Sequence, residues 1–233
     1  GDNDIHMPHP QHIAIIMDGN RRWAVSEGKP KIFGHTEGAK NIKTIVHAAI
    51  DSGLSFLTLW ALSTENLKNR SELELTHLFG LMKKLPNQLK EFTDNNVKIE
   101  FLGEMTALPE DVQAVFKQMK EDTAENTGLT LNLAINYGGR DELTRTVKAI
   151  IASGVSAAEV TEELITAQLD TKKMPEVDMV IRTGGHKRLS GYLPWQSVYA
   201  ELYFTDVYWP AFSADEFKKS IEWFEEQQRN RGK

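Results

Sequence analysis

Short β-rich apolar runs alternate with helical periods along this chain, and few folds accommodate that rhythm. The runs cover residues 12–17, 55–62, 97–102, 129–135 and 177–181, with a further candidate at 200–204. Between the first two, Ile42, Ile45, Val46, Ala49 and Ile50 recur at helical spacing. So do Leu75, Leu78, Phe79, Met82, Leu85, Leu89 and Phe92, which follow the capping-box pattern Ser71-x-x-Glu74. The spacing predicts a helix over 74–92, kinked where Pro86 removes a backbone donor. Two more such patterns, Ser156-x-x-Glu159 and Ser213-x-x-Glu216, predict later helix starts. Strand and helix repeated in this way specify an α/β fold: a mainly parallel central sheet with helices on both faces.

With 233 residues, 40% hydrophobic and 26% charged, the chain suits one domain with a sizeable core. Residues 1–7 read as an expression remnant, because His6-Met7 matches a restriction-site scar and nothing before Pro8 is periodic. That leaves 8–233 as a single domain. No apolar run approaches the ~18 residues of a membrane span. The absence of cysteine excludes disulfides, thiolate metal sites and cysteine nucleophiles. A net charge of −6 argues against sequence-independent binding to nucleic acid or anionic lipid, but leaves room for a small anionic ligand where basic residues cluster.

Parallel sheets place ligands beyond the carboxyl ends of their strands, so the residues after each run are informative. The first run is followed by Asp18-Gly19-Asn20-Arg21-Arg22, the second by Ser63-Thr64-Glu65-Asn66. The fourth leads into Asn136-Tyr137-Gly138-Gly139-Arg140, and the fifth into Arg182-Thr183-Gly184-Gly185-His186-Lys187-Arg188. Guanidinium forks match phosphate oxygens in pairs, and the Gly138-Gly139 and Gly184-Gly185 pairs offer the makings of backbone anion nests. Asp18 reads either as a hard-cation ligand or as a turn residue, with Glu201 the candidate second acid for Mg²⁺. His35, in Gly34-His35-x-x-Gly38, reads as a phosphate donor or as a capping residue. There is no P-loop, no Gly-x-Gly-x-x-Gly, no Gly-x-Ser-x-Gly and no adjacent aspartate pair. The stripe over 75–92 reads as core or as one wall of a hydrophobic tunnel, with Gly80 and Met82 as its small or flexible positions and Ala61 as a second candidate lining residue.

Residues 12–24, the Phe33-Gly34-His35-x-x-Gly38 segment, Ser63-Thr64-Glu65-Asn66, Asn136-Tyr137-Gly138-Gly139-Arg140 and Arg182-Thr183-Gly184-Gly185 belong to one ordered pattern. It continues through Arg188-x-Ser190 and Leu193-x-Trp195-Gln196 to Tyr199-Ala200-Glu201-Leu202-Tyr203-Phe204. Together these segments resemble the cis-prenyltransferases over nearly the whole chain. The resemblance implies a Mg²⁺-dependent enzyme that adds isopentenyl diphosphate to an allylic diphosphate such as farnesyl diphosphate. The product would be a Z-polyprenyl diphosphate such as undecaprenyl diphosphate, a lipid-carrier precursor for cell-wall synthesis.

By position, Asp18 and Glu201 would hold the metal. Gly19, Asn20, Arg21, Arg22, Trp23, Lys31 and His35 would surround the allylic diphosphate. Ser63, Asn66 and Arg70 would lie near the reacting carbons, with Asp18, Ser63 and Asn66 carrying catalysis, and Arg182, Arg188 and Ser190 would bind isopentenyl diphosphate. The resemblance also implies a cytoplasmic homodimer at the inner face of the membrane, with peripheral membrane contact for product release. A non-catalytic partner subunit of this fold, or an unrelated α/β phosphohydrolase with Asp18 as nucleophile, are the alternatives. The chain departs from the family at Lys31, where arginine is usual, and at Leu67-Lys68-Asn69-Arg70-Ser71, which replaces Trp-x-Arg-Pro. It ends in Arg229-Asn230-Arg231-Gly232, a loose match to the family's Arg-x-Gly.

Overall fold

A computed structural model describes residues 8–231. The proposed remnant 1–7 and the end of the terminal motif at Gly232 lie outside them. Along the chain run β1 (His12–Ile16), α1 (Asn20–Ser26), α2 (Ile32–Asp51), β2 (Phe56–Ser63), α3 (Thr64–Asn69), α4 (Glu72–Lys83), α5 (Leu85–Gln88) and α6 (Lys90–Thr93). They are followed by β3 (Lys98–Leu102), α7 (Glu110–Asp122), β4 (Thr130–Tyr137), α8 (Gly139–Ala152), α9 (Glu162–Gln168), β5 (Met179–Arg182), β6 (Glu201–Phe204) and α10 (Ala214–Arg231). The six strands form one sheet in the order β3-β4-β2-β1-β5-β6, and every neighbouring pair is parallel. The expected α/β architecture is therefore present, with all strand ends on one edge.

Alternation along each strand divides the core into two layers. Ile13, Ile15, Leu57, Leu59, Leu131 and Leu133 pack with residues of α2, α4, α7 and α10. Ala14, Ile16, Ala134 and Val180 pack on the other face, beneath Tyr137, Tyr192 and Leu193. That second face also buries a hydrogen-bonded polar cluster, with Asn132 Oδ1 left unpartnered. His12 Nε2 lies 2.6 Å from Thr58 Oγ1, Asn132 donates to the same hydroxyl, and Tyr137 donates to Glu142 at 2.6 Å.

Two local expectations are corrected. The predicted single helix over 74–92 is three helices, broken at Lys84 and again at Leu89. Pro86 sits in the first turn of α5, where its missing donor costs nothing, so it starts a helix instead of kinking one. The Ser156 box caps only a single 3₁₀ turn, Ala157–Glu159, and Thr161 starts the next helix.

Between β2 and β4, Trp60 pairs with Ala134 and Leu62 with Ile135, which leaves Ala61 unpaired; Ser63 then pairs with Tyr137, leaving Asn136 unpaired. These compensating bulges bend both strands as they reach the sheet edge, and the first turns Ala61 out of the regular pleat.

Candidate active site

At the carboxyl edge of the sheet opens a cavity of about 1010 Å³, at the top of the ~300–1,000 Å³ range of small-molecule sites. Its two ends differ in chemistry. Asp18, Arg22, Arg182, Arg188 and Ser190 line one, whereas Leu78, Leu81, Met82 and Leu85 line the other. The cavity thus matches a molecule with an anionic head and a long apolar tail.

The polar end is built on Asp18. Its N–H donates to Ile16 and to Thr183 Oγ1, while its carbonyl accepts from the Thr183 hydroxyl at 2.7 Å and from Trp209 N–H at 3.1 Å. With the backbone fixed, the carboxylate faces two guanidiniums, Arg22 at 3.2 Å and Arg182 at 3.1 Å. Arg182 is itself only 7% exposed, and it also donates to the Arg188 carbonyl and to Ser190 Oγ. Arg22 in turn donates to the Gly184 carbonyl at 2.7 Å, so the β1 and β5 strand ends form one continuous polar site.

The Gly184-Gly185 pair serves closeness instead of anion binding, contrary to the nest expectation. Both Gly184 and Gly185 have positive φ, but their N–H groups are already donated to Val207 and Thr205. A Cβ on Gly184 would lie 2.8 Å from Arg22 and 2.9 Å from the Asp18 carbonyl, so only glycine lets this loop approach. Gly138 is extended, and Gly139 N–H is spent on the Gly191 carbonyl.

A second polar cluster closes the cleft from the helical side. Glu74 Oε1 lies 2.9 Å from His35 Nε2, 3.4 Å from Arg70 and 3.5 Å from Arg21. The expected capping box is therefore only half formed: Ser71 accepts from Glu74 N–H, but the Glu74 carboxylate turns away to the cations. Burial alone would push this carboxyl up; the His35 hydrogen bond and the Arg70 and Arg21 charges outweigh it and hold it below its ordinary value. Burial pushes the His35 imidazole down, against the opposing pull of Glu74. Sequence reasoning missed Glu74 and Thr183 as site residues, because one looked like a helix cap and the other like a spacer between Arg182 and Gly184.

Gly19, Asn20, Arg21, Lys31, Ser63, Asn66 and Arg70 all line the cavity as expected. Ser63 and Asn66 also cap α3 reciprocally, the Asn66 N–H donating to Ser63 Oγ at 2.9 Å. Between the two candidates for the family arginine, Arg70 lines the cleft and Lys68 is exposed outside it. Three expected members are elsewhere. Trp23 lies outside the lining, with the Lys29 ammonium 5.4 Å from its ring centre. Arg140 is exposed on the first turn of α8.

Glu201 opens β6 level with Met179 and hence with Ile13, three strand residues or about 10 Å short of the edge that Asp18 extends. It pairs instead with Arg231 at 2.7 Å. Within one chain Asp18 and Glu201 therefore do not share a cation. Among the described residues no three His, Asp or Glu side chains are grouped to hold a metal. Asp18 alone, a hard oxygen donor open to the cleft, fits the Mg²⁺ mode in which one carboxylate and substrate phosphates share the ion.

The apolar end is lined by α4 and α5, as a tunnel wall would be, and Met82 and Ala61 both face it. Gly80 does not line it; a Cβ there would meet nothing within 4 Å. No helix among the described residues is long and apolar enough to cross a membrane.

Comparison with known proteins gives one answer. Residues 16–232 match the prenyltransferase family model described as undecaprenyl diphosphate synthase. An isoprenyl transferase of Treponema denticola is 44% identical over 95% of this chain and 97% of its own length. The ditrans,polycis-undecaprenyl-diphosphate synthase ((2E,6E)-farnesyl-diphosphate specific) of Aliivibrio fischeri is 38% identical over 96% of this chain and 88% of its own. Among solved structures, lavandulyl diphosphate synthase from Lavandula x intermedia, in complex with dimethylallyl diphosphate, superposes with a TM-score of 0.90 at 31% identity. That match covers 93% of this chain and 95% of the other. A probable undecaprenyl diphosphate synthase from Campylobacter jejuni gives 0.78 at 33% identity, covering 94% and 96%.

Proposed function

Because the chain belongs to the undecaprenyl diphosphate synthase family, we propose that it joins isopentenyl diphosphate to an allylic diphosphate such as farnesyl diphosphate, as a cis-prenyltransferase. Its product is a Z-polyprenyl diphosphate such as undecaprenyl diphosphate, the lipid-carrier precursor of cell-wall synthesis. The observation that carries this reading is the cleft, which joins an arginine-rich end to an apolar end without a break. A phosphohydrolase needs the first end only.

In each round the allylic C–O bond breaks, the isopentenyl double bond attacks the freed carbon, and the isopentenyl unit loses a proton. Arg22 and Lys31, with His35 and Asn20 beside them, hold the allylic diphosphate and balance the charge it gains on leaving. Arg188 and Ser190 hold isopentenyl diphosphate. Arg182 fixes that second group against Asp18 through its bonds to both sides. Alignment of the two substrates supplies much of the rate, because the double bond must face the allylic carbon before ionisation. Ser63 accepts from Asn66 N–H and keeps its own proton free to donate toward a diphosphate oxygen. Asp18 would hold Mg²⁺ jointly with diphosphate oxygens, where the ion supplies charge neutralisation on the leaving group. The apolar wall, with Leu78, Met82 and Leu85, receives the growing chain.

The assembly we propose is a homodimer in the cytoplasm, working at the inner face of the membrane where its product leaves. Val198 and Tyr199 are 65% and 78% exposed and, with Leu202 on the edge strand β6, form the apolar surface that a second copy would cover. Incubation with Mg²⁺, farnesyl diphosphate and labelled isopentenyl diphosphate tests the function. A lipid longer than farnesyl supports it; release of phosphate without a longer lipid refutes it.

A further inference from the structure

Arg22 reaches the cleft on a long side chain that is 42% exposed, and a guanidinium free to sample many positions binds phosphate weakly, because ordering it costs affinity. Two polar contacts hold its edge. Nη1 donates to the Gly184 carbonyl at 2.7 Å, and Nη2 lies 3.2 Å from Asp18 Oδ1. These occupy at most two of its five N–H donors, so at least three are left for phosphate oxygens. Both contacts lie along one edge, and neither fixes the tilt of the plane. A third contact does: the guanidinium carbon lies over the Tyr208 ring, 5.2 Å from its centre, within the ~6 Å reach of a cation–π contact.

The fold fixes the backbone on both sides of that ring. Gly184 N–H donates to the Val207 carbonyl at 2.8 Å, and Trp209 N–H donates to the Asp18 carbonyl at 3.1 Å. Trp209 is fully buried; its indole donates to the Gly38 carbonyl at 2.8 Å, and its own carbonyl accepts from Asn41 at 2.7 Å. Residues 207–209 therefore bridge the β1 and β5 strand ends, and Tyr208 between them has ordinary extended backbone, φ −70° and ψ 145°. Gly19 completes the seat. A Cβ there would come within 2.7 Å of Tyr208 Cδ1 and 3.0 Å of its Cα and Cβ, and Gly19 has φ +114°, so only glycine lets the ring lie on the β1–α1 turn. The half-buried Tyr208 itself lines the cleft.

We propose that Tyr208 is a positioning residue for the allylic diphosphate: its ring holds the Arg22 guanidinium at the tilt that presents the remaining N–H groups to phosphate oxygens. The inference rests on the proposed function for the identity of the ligand, and it adds a residue that acts through Arg22. A cation–π contact needs only the ring face, so the hydroxyl takes no part.

The test is a double-mutant cycle read by calorimetric binding of farnesyl thiodiphosphate and, in parallel, of inorganic pyrophosphate. Tyr208→Leu should weaken both by roughly 2- to 30-fold, the range of a cation–π contact between exposed and desolvated settings, while KM for isopentenyl diphosphate stays unchanged. Tyr208→Phe should bind like wild type. In an Arg22→Ala background Tyr208→Leu should have no further effect, whereas a merely structural role would lower affinity by the same factor in both backgrounds. Equal loss with and without Arg22 therefore overturns the proposal. So does a Tyr208→Phe variant as weak as Tyr208→Leu, which would put the hydroxyl on the phosphate. Undiminished binding by Tyr208→Leu overturns it as well and leaves the proposed function standing. If wild type binds neither probe, the allylic site assigned to Arg22 fails, and the positioning role fails with it.

Discussion

Replacing Glu74 by glutamine removes the one negative charge on which Arg21, His35 and Arg70 converge, while keeping the size and one acceptor oxygen. The contact to His35 is short, 2.9 Å, and mostly buried, whereas those to Arg70 and Arg21 are 3.4 and 3.5 Å. A hydrogen bond to a charged group contributes about 1.5–3 kcal/mol, of which a neutral acceptor keeps roughly half. The longer pairs, one of them on the 44%-exposed Arg21, add about 0.3 kcal/mol each. Glu74→Gln should therefore cost about 1.5–2 kcal/mol, or roughly 3–8 °C in Tm for a chain of this size.

The pH dependence has a definite sign. The Glu74 carboxyl is held below its ordinary value, so its contribution is complete above the unfolded carboxylate range and is lost as pH falls through the depressed folded value. Thermal unfolding followed by circular dichroism should show the full difference between wild type and variant at pH 7, and a difference closing below about pH 4. Equal stability at pH 7, or a gap unchanged in acid, would refute the role assigned to this charge.

Four further outcomes are expected. Asp18→Ala and chelation by EDTA should each abolish elongation while the fold persists by circular dichroism; full activity in either case removes Asp18 from the metal role. Arg188→Ala should raise KM for isopentenyl diphosphate by roughly 10- to 150-fold, the worth of one charge-assisted phosphate contact, with little change in calorimetric binding of farnesyl thiodiphosphate. Loss confined to the farnesyl analogue would reverse the two diphosphate sites. Ala61→Trp should shorten the product spectrum on thin-layer chromatography, and Gly80→Trp should leave it unchanged, because only Ala61 faces the cavity. Tyr199→Glu should convert the dimer to a monomer in sedimentation velocity at micromolar concentration; a wild-type monomer under those conditions contradicts the assembly.

What could be read from the sequence was whatever depends on local pattern. Short β-rich apolar runs located all six strands to within two residues at each end, and the strand ends pointed to Asp18, Arg22, Arg182 and Arg188. What escaped depends on pairing. Ala61 faces the cavity because of bulges in the β2–β4 ladder, which no feature of residues 55–62 announces. Glu201 looked adjacent to the site because it follows Tyr199-Ala200 in the motif, yet the β5–β6 register fixes it at the opposite end of the strand. Glu74 fitted a capping box, and only the packing of α4 on α2 shows that its carboxylate has better partners. The glycine pairs carried a sound conformational signal at Gly184-Gly185, but their N–H groups were already committed to the Thr205 and Val207 carbonyls.

The central claim is that one continuous cleft holds the diphosphate at the Asp18 end and the prenyl chain along α4 and α5. A crystal structure with farnesyl thiodiphosphate and Mg²⁺ tests it most directly. The diphosphate should lie against Arg22 and His35 with the metal on Asp18, and the farnesyl chain should run past Ala61 toward Leu78, Met82 and Leu85. A chain directed away from these residues, or a diphosphate bound without contact to the Asp18 end, would contradict the account.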